Sequence, residues 1–286
     1  MIAVTGASGN IGGELLRILS EAGERVRALS RNPPSGATLD GVEWVRADLR
    51  ERDTLAAAFS GADRLFLLTG NVESMVPAQK DAVAAATAAG IEHVVKVSAL
   101  GASDHSSSVI GIWHYIVEEV LKRADVDWTI LRPHVFMQNI LDQRKVILEH
   151  GEVYSPSGDA AVPMIDTRDV AAVAASVLTE PGHAGARYTL TGPQPVSWSK
   201  VAIILSNVLG RTVTYVPETE NDAWHRLHRA GAPPWLIGAQ LSLATYQRRG
   251  GGTNIVTTTV EEVTGKAARS FTTFARDHAA DFADPP

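Results

Sequence analysis

The amino-acid sequence predicts an α/β fold of the Rossmann type, a doubly wound parallel sheet with helices on both faces. Short apolar segments typical of buried strands alternate with helical segments of about 10 to 15 residues. In addition, a glycine-rich turn, VTGASGNIGGELL, joins the first strand to the first helix. We expect residues 1–134 to form this core, and residues 135–286 to complete the sheet and add a smaller, mostly helical substrate lobe.

In the first half of the chain, segments with the residue pattern of strands alternate with segments that have the 3.6-residue period of helices. Apolar or alternating residues predict strands at 2–5, 25–30, 42–46, 64–68, 93–98 and 128–131. Helical period predicts helices at 10–22, 54–59, 77–89 and 110–123. The Pro, Gly, Ser, Asn and Asp residues of 31–41 predict a loop. This order favours right-handed crossovers between parallel strands.

The second half has a looser pattern. Asp166 stands at an N-cap position before an alanine- and valine-rich helix, and Asp169 lies in its first turn. Ser197 is the expected cap of a later helix that ends at Gly210. From Glu218 onward the chain is predicted to be mostly helical. The other segments predicted here are strands at 187–192 and 211–217 and a loop at 248–254.

Composition excludes several classes of function. The chain has no cysteine, which excludes disulfides, thiolate catalysis and cysteine-ligated metals, and we predict no metal site. The net charge of −6 is unfavourable for nucleic-acid binding. We see no signal peptide and no apolar run of the roughly 18 residues that a membrane span requires. We therefore expect a cytoplasmic protein with a small-molecule substrate and no membrane or nucleic-acid partner, and we leave a homodimer open.

The glycine-rich turn is the strongest functional signal. A phosphate approaches backbone amides closely only where no Cβ intervenes, and a helix N-terminus adds N–H groups and partial positive charge. We expect Gly6 to make the turn, Gly9 to admit a pyrophosphate, and Gly12 to allow close packing. The alternative is a tight turn without a ligand. Further polar groups or amides of this predicted cofactor site come from Ser8, Asn10 and Ile11.

Five more positions are predicted to contact the cofactor. A site for NAD places a carboxylate after the second strand, but here ALSRN offers Arg31, which can pair with a 2′-phosphate and favours NADP(H). In RADL, Asp48 and the adjacent Leu49 are expected near the adenine. Thr69 and Gly70 lie past the fourth strand, at the ligand-binding edge. The alternatives are a solvated loop arginine and a turn or capping aspartate.

These segments together resemble the NmrA-like group of atypical short-chain dehydrogenases/reductases. The segments that carry the likeness are VTGASGNIGGELL, ALSRN, RADL, LLTG, VVKVSALGA, WTILRPHVFMQNIL, MIDTRDVAAVAASVL, RYTLTG and VLGRTVTYVP. The likeness spans nearly the whole chain and is most specific in the cofactor part. The group includes triphenylmethane reductase, related quinone oxidoreductases and NADP-sensing regulators. It implies a Rossmann fold that binds NADP(H).

The chain departs from the resemblance at the catalytic pair. Extended relatives carry a tyrosine that donates a proton and a lysine four residues later that lowers the pKa of the tyrosine. The matching segment IGIWHYIVE puts Ile110 at the tyrosine position and His114 at the lysine position. Tyr115 lies on another side of the helix. We therefore expect an NADPH-dependent oxidoreductase whose acceptor is a conjugated electrophile, such as a quinone, iminium or dye. The alternative is a non-catalytic NADP(H)-binding redox sensor.

The resemblance also implies residues near the nicotinamide. We expect His114 to contact the ribose or the substrate or to relay a proton, and Ser98 to match a substrate-facing serine. Lys96 lies one strand period before Ser98 and shares its face, but we assign it no role. Pro133 follows the sixth strand, where the backbone of the family passes the nicotinamide. Aromatic and apolar candidates for a substrate pocket, with ordinary core packing as the alternative, are Trp113, Phe136, Met137 and Trp224.

Overall fold

The computed structural model describes residues 1–35, 39–252 and 254–282. Within these residues, seven parallel strands form a central sheet with the order β3-β2-β1-β4-β5-β6-β8. β7 and β9 pair with each other in a separate parallel sheet. The strands are β1 (Ile2–Val4), β2 (Val26–Ser30), β3 (Val42–Arg46), β4 (Arg64–Leu67), β5 (His93–Val97), β6 (Asp127–Pro133), β7 (Glu152–Ser155), β8 (Arg187–Leu190) and β9 (Thr214–Pro217).

The helices connect these strands and build the second lobe. They are α1 (Asn10–Glu21), α2 (Arg52–Phe59), α3 (Met75–Ala88), α4 (Val109–Lys122), α5 (Arg144–His150), α6 (Thr167–Thr179), α7 (Trp198–Leu209), α8 (Glu220–Arg229), α9 (Pro234–Arg248), α10 (Thr259–Thr264) and α11 (Phe271–Asp277). Short 3₁₀ helices cover Met137–Gln143 and Ala279–Phe282. In the part of the chain that the structure describes, no helix is both long and apolar enough to cross a membrane.

Successive strand residues point to opposite faces of the sheet, and each face has its own core. Phe66, Val95 and Leu131 pack with residues of α1 and α6. Leu65 and Val94 face the other side, towards α2 and α3. From β1 the chain builds outward to β3, then returns to β4 and builds in the opposite direction. The carboxyl ends of β1 and β4 therefore flank the crevice in which such folds bind ligands.

The second half of the chain contributes to both parts of the molecule. β8 extends the main sheet by pairing with β6, and α6 packs on α1. α5, β7, α7, α11 and the two 3₁₀ helices contribute to a third core, in which Ile147, Val153 and Phe274 are fully buried. The fold class predicted from the sequence is confirmed, including a helical lobe after the first six strands.

Most predicted elements lie within two residues of the observed ones, but some predictions were incomplete. β7 and α5 were missed, and the predicted strand at 211–217 begins only at Thr214 and pairs with β7 outside the main sheet. The cap at Asp166 is confirmed, because its side chain accepts a hydrogen bond from the Arg168 N–H at 2.9 Å. Residues 36–38 of the predicted loop 31–41, and residue 253 of the loop 248–254, lie outside the described residues.

We predict that Gly12→Ala destabilises the fold. An added Cβ would lie 2.1 Å from the Gly6 carbonyl oxygen and 2.8 Å from Ala7 Cα, and backbone atoms cannot move aside without displacing the turn. We expect the free energy of unfolding to fall by about 3 kcal/mol, measured by chemical denaturation. Gly13→Ala in the same helix is the control, since its Cβ approaches only Ala7 O, at 3.9 Å. The control should gain about 0.5–1 kcal/mol, and equal stabilities of the two variants would contradict the prediction.

Candidate active site

The glycine-rich turn lies at the carboxyl end of β1 and forms an open cradle. Gly6 adopts φ +63°, which favours glycine, and its carbonyl accepts a hydrogen bond from the Gly9 N–H at 3.0 Å. Among the described residues, a Cβ on Gly9 would meet only the Gly6 carbonyl oxygen within 4 Å. It would otherwise fill the space in front of α1. The turn therefore leaves room for a group as large as a diphosphate against the backbone.

The N-terminus of α1 makes this cradle attractive to an anion. Gly9 is the N-cap residue and provides no capping side chain, and the first turn of α1 contains no acidic residue. The first amides of the helix therefore keep their hydrogen-bonding capacity for a ligand. The side chains of Ser8 and Asn10 are exposed beside them, whereas the Ile11 side chain is buried in the core and offers only its amide. The residues present fit a dinucleotide phosphate.

The end of the crevice predicted to bind the adenosine contains Arg31 and Asp48. Arg31 is exposed directly after β2. The Asp48 carboxylate accepts hydrogen bonds from the Arg50 guanidinium at 2.5 Å and from the Arg50 N–H at 3.0 Å, and the Arg50 side chain lowers the pKa of Asp48. This arrangement matches the turn interpretation of Asp48, and Leu49 packs half-buried against the core. Adenine contacts by Asp48 and Leu49 stay predictions.

The carboxyl end of β4 also faces open space. A Cβ on Gly70 would meet no described atom within 4 Å. The Thr69 hydroxyl accepts a hydrogen bond from Gln79 Nε2 at 2.7 Å, which leaves its own hydrogen free for a ligand. Gln79 of α3 is fully buried, and within the described residues its Oε1 has no hydrogen-bond partner. On β6, the Pro133 carbonyl accepts from the Leu100 N–H at 2.9 Å, so Pro133 holds the loop after β5.

A buried pair joins β5 to α4. Lys96 is fully buried, and its Nζ lies 3.2 Å from His114 Nδ1 and donates to the Val97 carbonyl at 3.0 Å. Burial lowers the pKa of Lys96 to about 7, an effect that Glu118 partly opposes. Burial, with smaller effects from Lys96 and Arg132, holds the pKa of His114 well below its usual range. His114 is therefore a neutral imidazole at neutral pH.

A second set of contacts fixes Ser98. Its hydroxyl donates to Glu118 Oε1 at 2.5 Å, and Glu118 also accepts two hydrogen bonds from Arg132, at 2.9 and 2.6 Å. Glu118 is fully buried, and Ser98 is nearly so. Because a hydroxyl has one hydrogen to donate, Ser98 directs that hydrogen at Glu118, and a substrate contact by Ser98 stays a prediction. Sequence analysis missed Glu118 and Arg132, although Glu118 lies four residues after His114 on the same helix face.

The four residues predicted to line a substrate pocket have different environments. Met137 is 1% exposed within the core of the second lobe, which matches the core-packing alternative, and a substrate contact by Met137 stays a prediction. Phe136 is half-buried against the core of the α1 face. The Trp113 ring of α4 lies 5.1 Å from that of Trp235 of α9, centroid to centroid. Trp224 stacks on His228 of the same helix, which gives it local packing.

A hydrogen bond connects the segment after α9 to the residue that follows β6, at the same edge of the sheet. His134 lies directly after β6, and its Nε2 is 3.2 Å from the Gly252 carbonyl oxygen. The Val135 N–H donates to His134 Nδ1 at 2.7 Å, so Nε2 carries the proton and donates it to Gly252. Within the described residues, no group of three or more His, Asp or Glu side chains is placed to hold a metal ion.

Comparison with known proteins agrees with this architecture. A model of the NmrA-like family matches residues 1–269. The NAD(P)H azoreductase of Xenophilus azovorans is 39% identical, and the alignment covers 99% of each chain. The (4-alkanoyl-5-oxo-2,5-dihydrofuran-3-yl)methyl phosphate reductase of Streptomyces griseus subsp. griseus is 37% identical over 99% of each chain.

A solved structure shows the same fold with a nucleotide bound. This is the NADPH-dependent quinone oxidoreductase QOR2 from Escherichia coli complexed with NADPH. It matches with a TM-score of 0.87 and 27% identity, covering 98% of this chain and 100% of that one. The resemblance and the fold predicted from the sequence are therefore both confirmed, and the chain belongs to the NmrA-like family.

Proposed function

We propose that this NADP-dependent oxidoreductase passes hydride from NADPH to a flat, conjugated electrophile of the quinone or azo type. The observation that carries the proposal is the composition of α4 beside the cofactor crevice. At the positions of the usual tyrosine and lysine, α4 has Ile110 and the buried, neutral His114. A simple ketone needs a phenol-like donor for its developing alkoxide, whereas a conjugated acceptor delocalises the added electrons and needs much less help.

We assign the cofactor to the crevice between β1 and β4. The amides of the Gly6–Gly12 turn would hold the diphosphate, and Arg31 the 2′-phosphate. The free hydroxyl hydrogen of Thr69 and the open backbone at Gly70 would serve the nicotinamide end. NADPH supplies the hydride when bound. The protein then has to orient the acceptor on the nicotinamide and exclude water.

The acceptors named for the relatives support this chemistry. An azo compound, a 5-oxo-2,5-dihydrofuran with a 4-alkanoyl group and a quinone are all conjugated electrophiles. In this chain, Trp113, Trp235 and the half-buried Phe136 would be the walls for a flat acceptor, since aromatic faces bind conjugated rings well. Substrate contacts by Trp113 and Phe136 are part of this proposal.

The second candidate function is redox sensing without turnover. It draws on the same observation, because a chain without the tyrosine and lysine could bind NADP(H) and do no chemistry. Two features favour the enzyme. Trp113 lies near the start of α4 and Phe136 follows β6, both towards the carboxyl edge of the sheet. The 37–39% identity to two relatives named as reductases spans 99% of the chain.

We predict that the purified protein oxidises NADPH in the presence of conjugated acceptors. The assay follows nicotinamide absorbance with 2-methyl-1,4-naphthoquinone, an azo dye and crystal violet, and cyclohexanone serves as an unconjugated control. Turnover with at least one conjugated acceptor and none with cyclohexanone is the expected result. NADPH binding by calorimetry without oxidation by any acceptor would instead establish the sensor.

We predict that Arg31→Asp reverses the preference for NADPH over NADH. Loss of a charge-assisted hydrogen bond costs about 1.5–3 kcal/mol, so the affinity for NADPH should fall by about tenfold or more. The new carboxylate should accept hydrogen bonds from the ribose hydroxyls of NADH. Arg229→Asp, the same charge change at an exposed position at the end of α8, should leave the preference unchanged. Equal NADPH affinities of the two variants, measured by calorimetry, would remove Arg31 from the site.

A further inference from the structure

Lys96 is a buried cation that the hydride transfer described so far does not use. Among the described residues it forms no ion pair within 4.0 Å, because Glu118 is already engaged by Arg132, Ser98 and Lys122. Burying a cation without a paired carboxylate is costly. Stability alone is therefore a poor reason for a lysine at this position, and burial with a perturbed pKa is typical of functional sites.

The path of the Lys96 side chain leads towards the ligand-binding edge. Lys96 is next to last in β5, and its Nζ reaches forward to the Val97 carbonyl. α4 runs back from that edge, so His114, in its second turn, lies nearer the edge than Glu118 does. The contact between Lys96 Nζ and His114 Nδ1 therefore lies towards the carboxyl edge of the sheet, which is the edge with the cofactor crevice.

Among the described residues, the His114 imidazole is the only titratable group within hydrogen-bond distance of Lys96 Nζ. Leu67 of β4 and Ile130 of β6 flank Lys96 in the sheet and are apolar. The charged groups that face the pair are Glu118 of α4 and Arg132 of β6, which bind each other. While Lys96 is protonated, its ammonium has only donors, so His114 Nδ1 accepts and the imidazole proton resides on Nε2.

We propose that Lys96 is a positioning residue that holds His114 in the Nε2–H tautomer and resupplies the proton His114 gives to the reduced acceptor. The inference rests on the proposed function, in which a quinone or azo acceptor receives hydride. His114 would be the catalytic residue, through the only ring nitrogen that Lys96 leaves available. The inference deepens the proposed function by naming the residues that supply the proton.

The step balances without any additional reactant. After hydride addition, the acceptor anion takes the proton from His114 Nε2, so the Nε2–H bond breaks and an O–H or N–H bond forms. At the same time, His114 Nδ1 takes a proton from the Lys96 ammonium. The imidazole stays neutral and changes tautomer, Lys96 becomes a neutral amine, and the negative charge of the acceptor is cancelled. Between turnovers, His114 Nε2 takes a proton from solvent and Nδ1 returns its proton to Lys96, which restores the ammonium and the starting tautomer.

The first test measures the His114 tautomer in the protein without ligands, at a pH below the pKa of Lys96, which burial lowers to about 7. Two-bond ¹H–¹⁵N NMR of ¹⁵N-histidine-labelled protein distinguishes protonated from unprotonated ring nitrogens. We expect His114 to be protonated on Nε2 in the wild type and in Lys80→Met, an exposed lysine of α3 changed in the same way. In Lys96→Met the tautomer should become mixed or switch. An Nδ1–H signal in the wild type, or an unchanged signal in Lys96→Met, would overturn the proposal.

The second test compares an acceptor that needs a proton with one that does not. Reduction of 2-methyl-1,4-naphthoquinone consumes a hydride and a proton, whereas crystal violet, a carbocation, becomes neutral on hydride addition alone. Lys96→Met should slow quinone reduction by about 10²-fold, a typical general-acid effect, and leave crystal violet reduction within about twofold of wild type. Equal slowing of both reactions would show a merely structural role and contradict the proposal.

The pH dependence of the wild type provides a test that needs no variant. Lys96 can supply a proton to His114 only while it is protonated, and burial lowers the pKa of Lys96 to about 7. The rate of quinone reduction should therefore fall as pH rises through about 7, and crystal violet reduction should not show this fall. Parallel pH profiles would overturn the relay. If neither acceptor is reduced, the proposed function fails, whereas the NMR measurement still decides whether Lys96 sets the tautomer.

Discussion

The close approach of Gly12 to the Gly6 carbonyl is the constraint on which the site depends. With only 2.1 Å available where a Cβ would stand, α1 lies against the turn that leaves β1. That contact aims the helix N-terminus at the crevice between β1 and β4, where the order of the sheet reverses. Because α6 packs on α1, the second half of the chain also helps to hold this helix in place. The anion-binding property is thus a consequence of packing between backbones.

The ionisable groups between the sheet and α4 form two sets. One is an ion pair, and the other contains a lysine without a paired carboxylate. Glu118 and Arg132 neutralise each other, and Ser98 satisfies a further acceptor position of the carboxylate. Within the described part of the chain, Lys96 has a neutral imidazole and a carbonyl as its hydrogen-bond partners. The first set resembles a structural ion pair. Removal of either partner would leave the other as an uncompensated buried charge. In the second set, burial lowers the pKa of Lys96 to about 7, which suits proton transfer at neutral pH.

The sequence predicts the parts of this protein that depend on local period and on backbone space. The core strands and helices follow from alternating periods, and the turn at Gly6–Gly12 follows from its position between a strand and a helix. β7 was missed because its partner β9 lies far along the chain, so no local pattern marks the pair. The contacts of Ser98 and Met137 could not be predicted for a similar reason. Whether a polar or apolar side chain faces a ligand or a neighbour depends on tertiary contacts, here Glu118 and the core of the second lobe.

Loss of the tyrosine changes which acceptors are accessible more than it changes the cofactor site. In the proposed site, the glycine-rich turn and Arg31 would bind the cofactor independently of the proton donor, so a chain could retain NADP(H) while its chemistry shifts. With His114 at the position of the usual lysine and Lys96 behind it, the acidic group is an imidazole N–H, a much weaker acid than a phenol unless a second proton arrives at Nδ1. Such a donor is adequate for anions that conjugation already stabilises. It is too weak an acid to assist the reduction of a simple ketone, which forms an alkoxide. Acceptor class and proton source are therefore two consequences of one arrangement between β5 and α4.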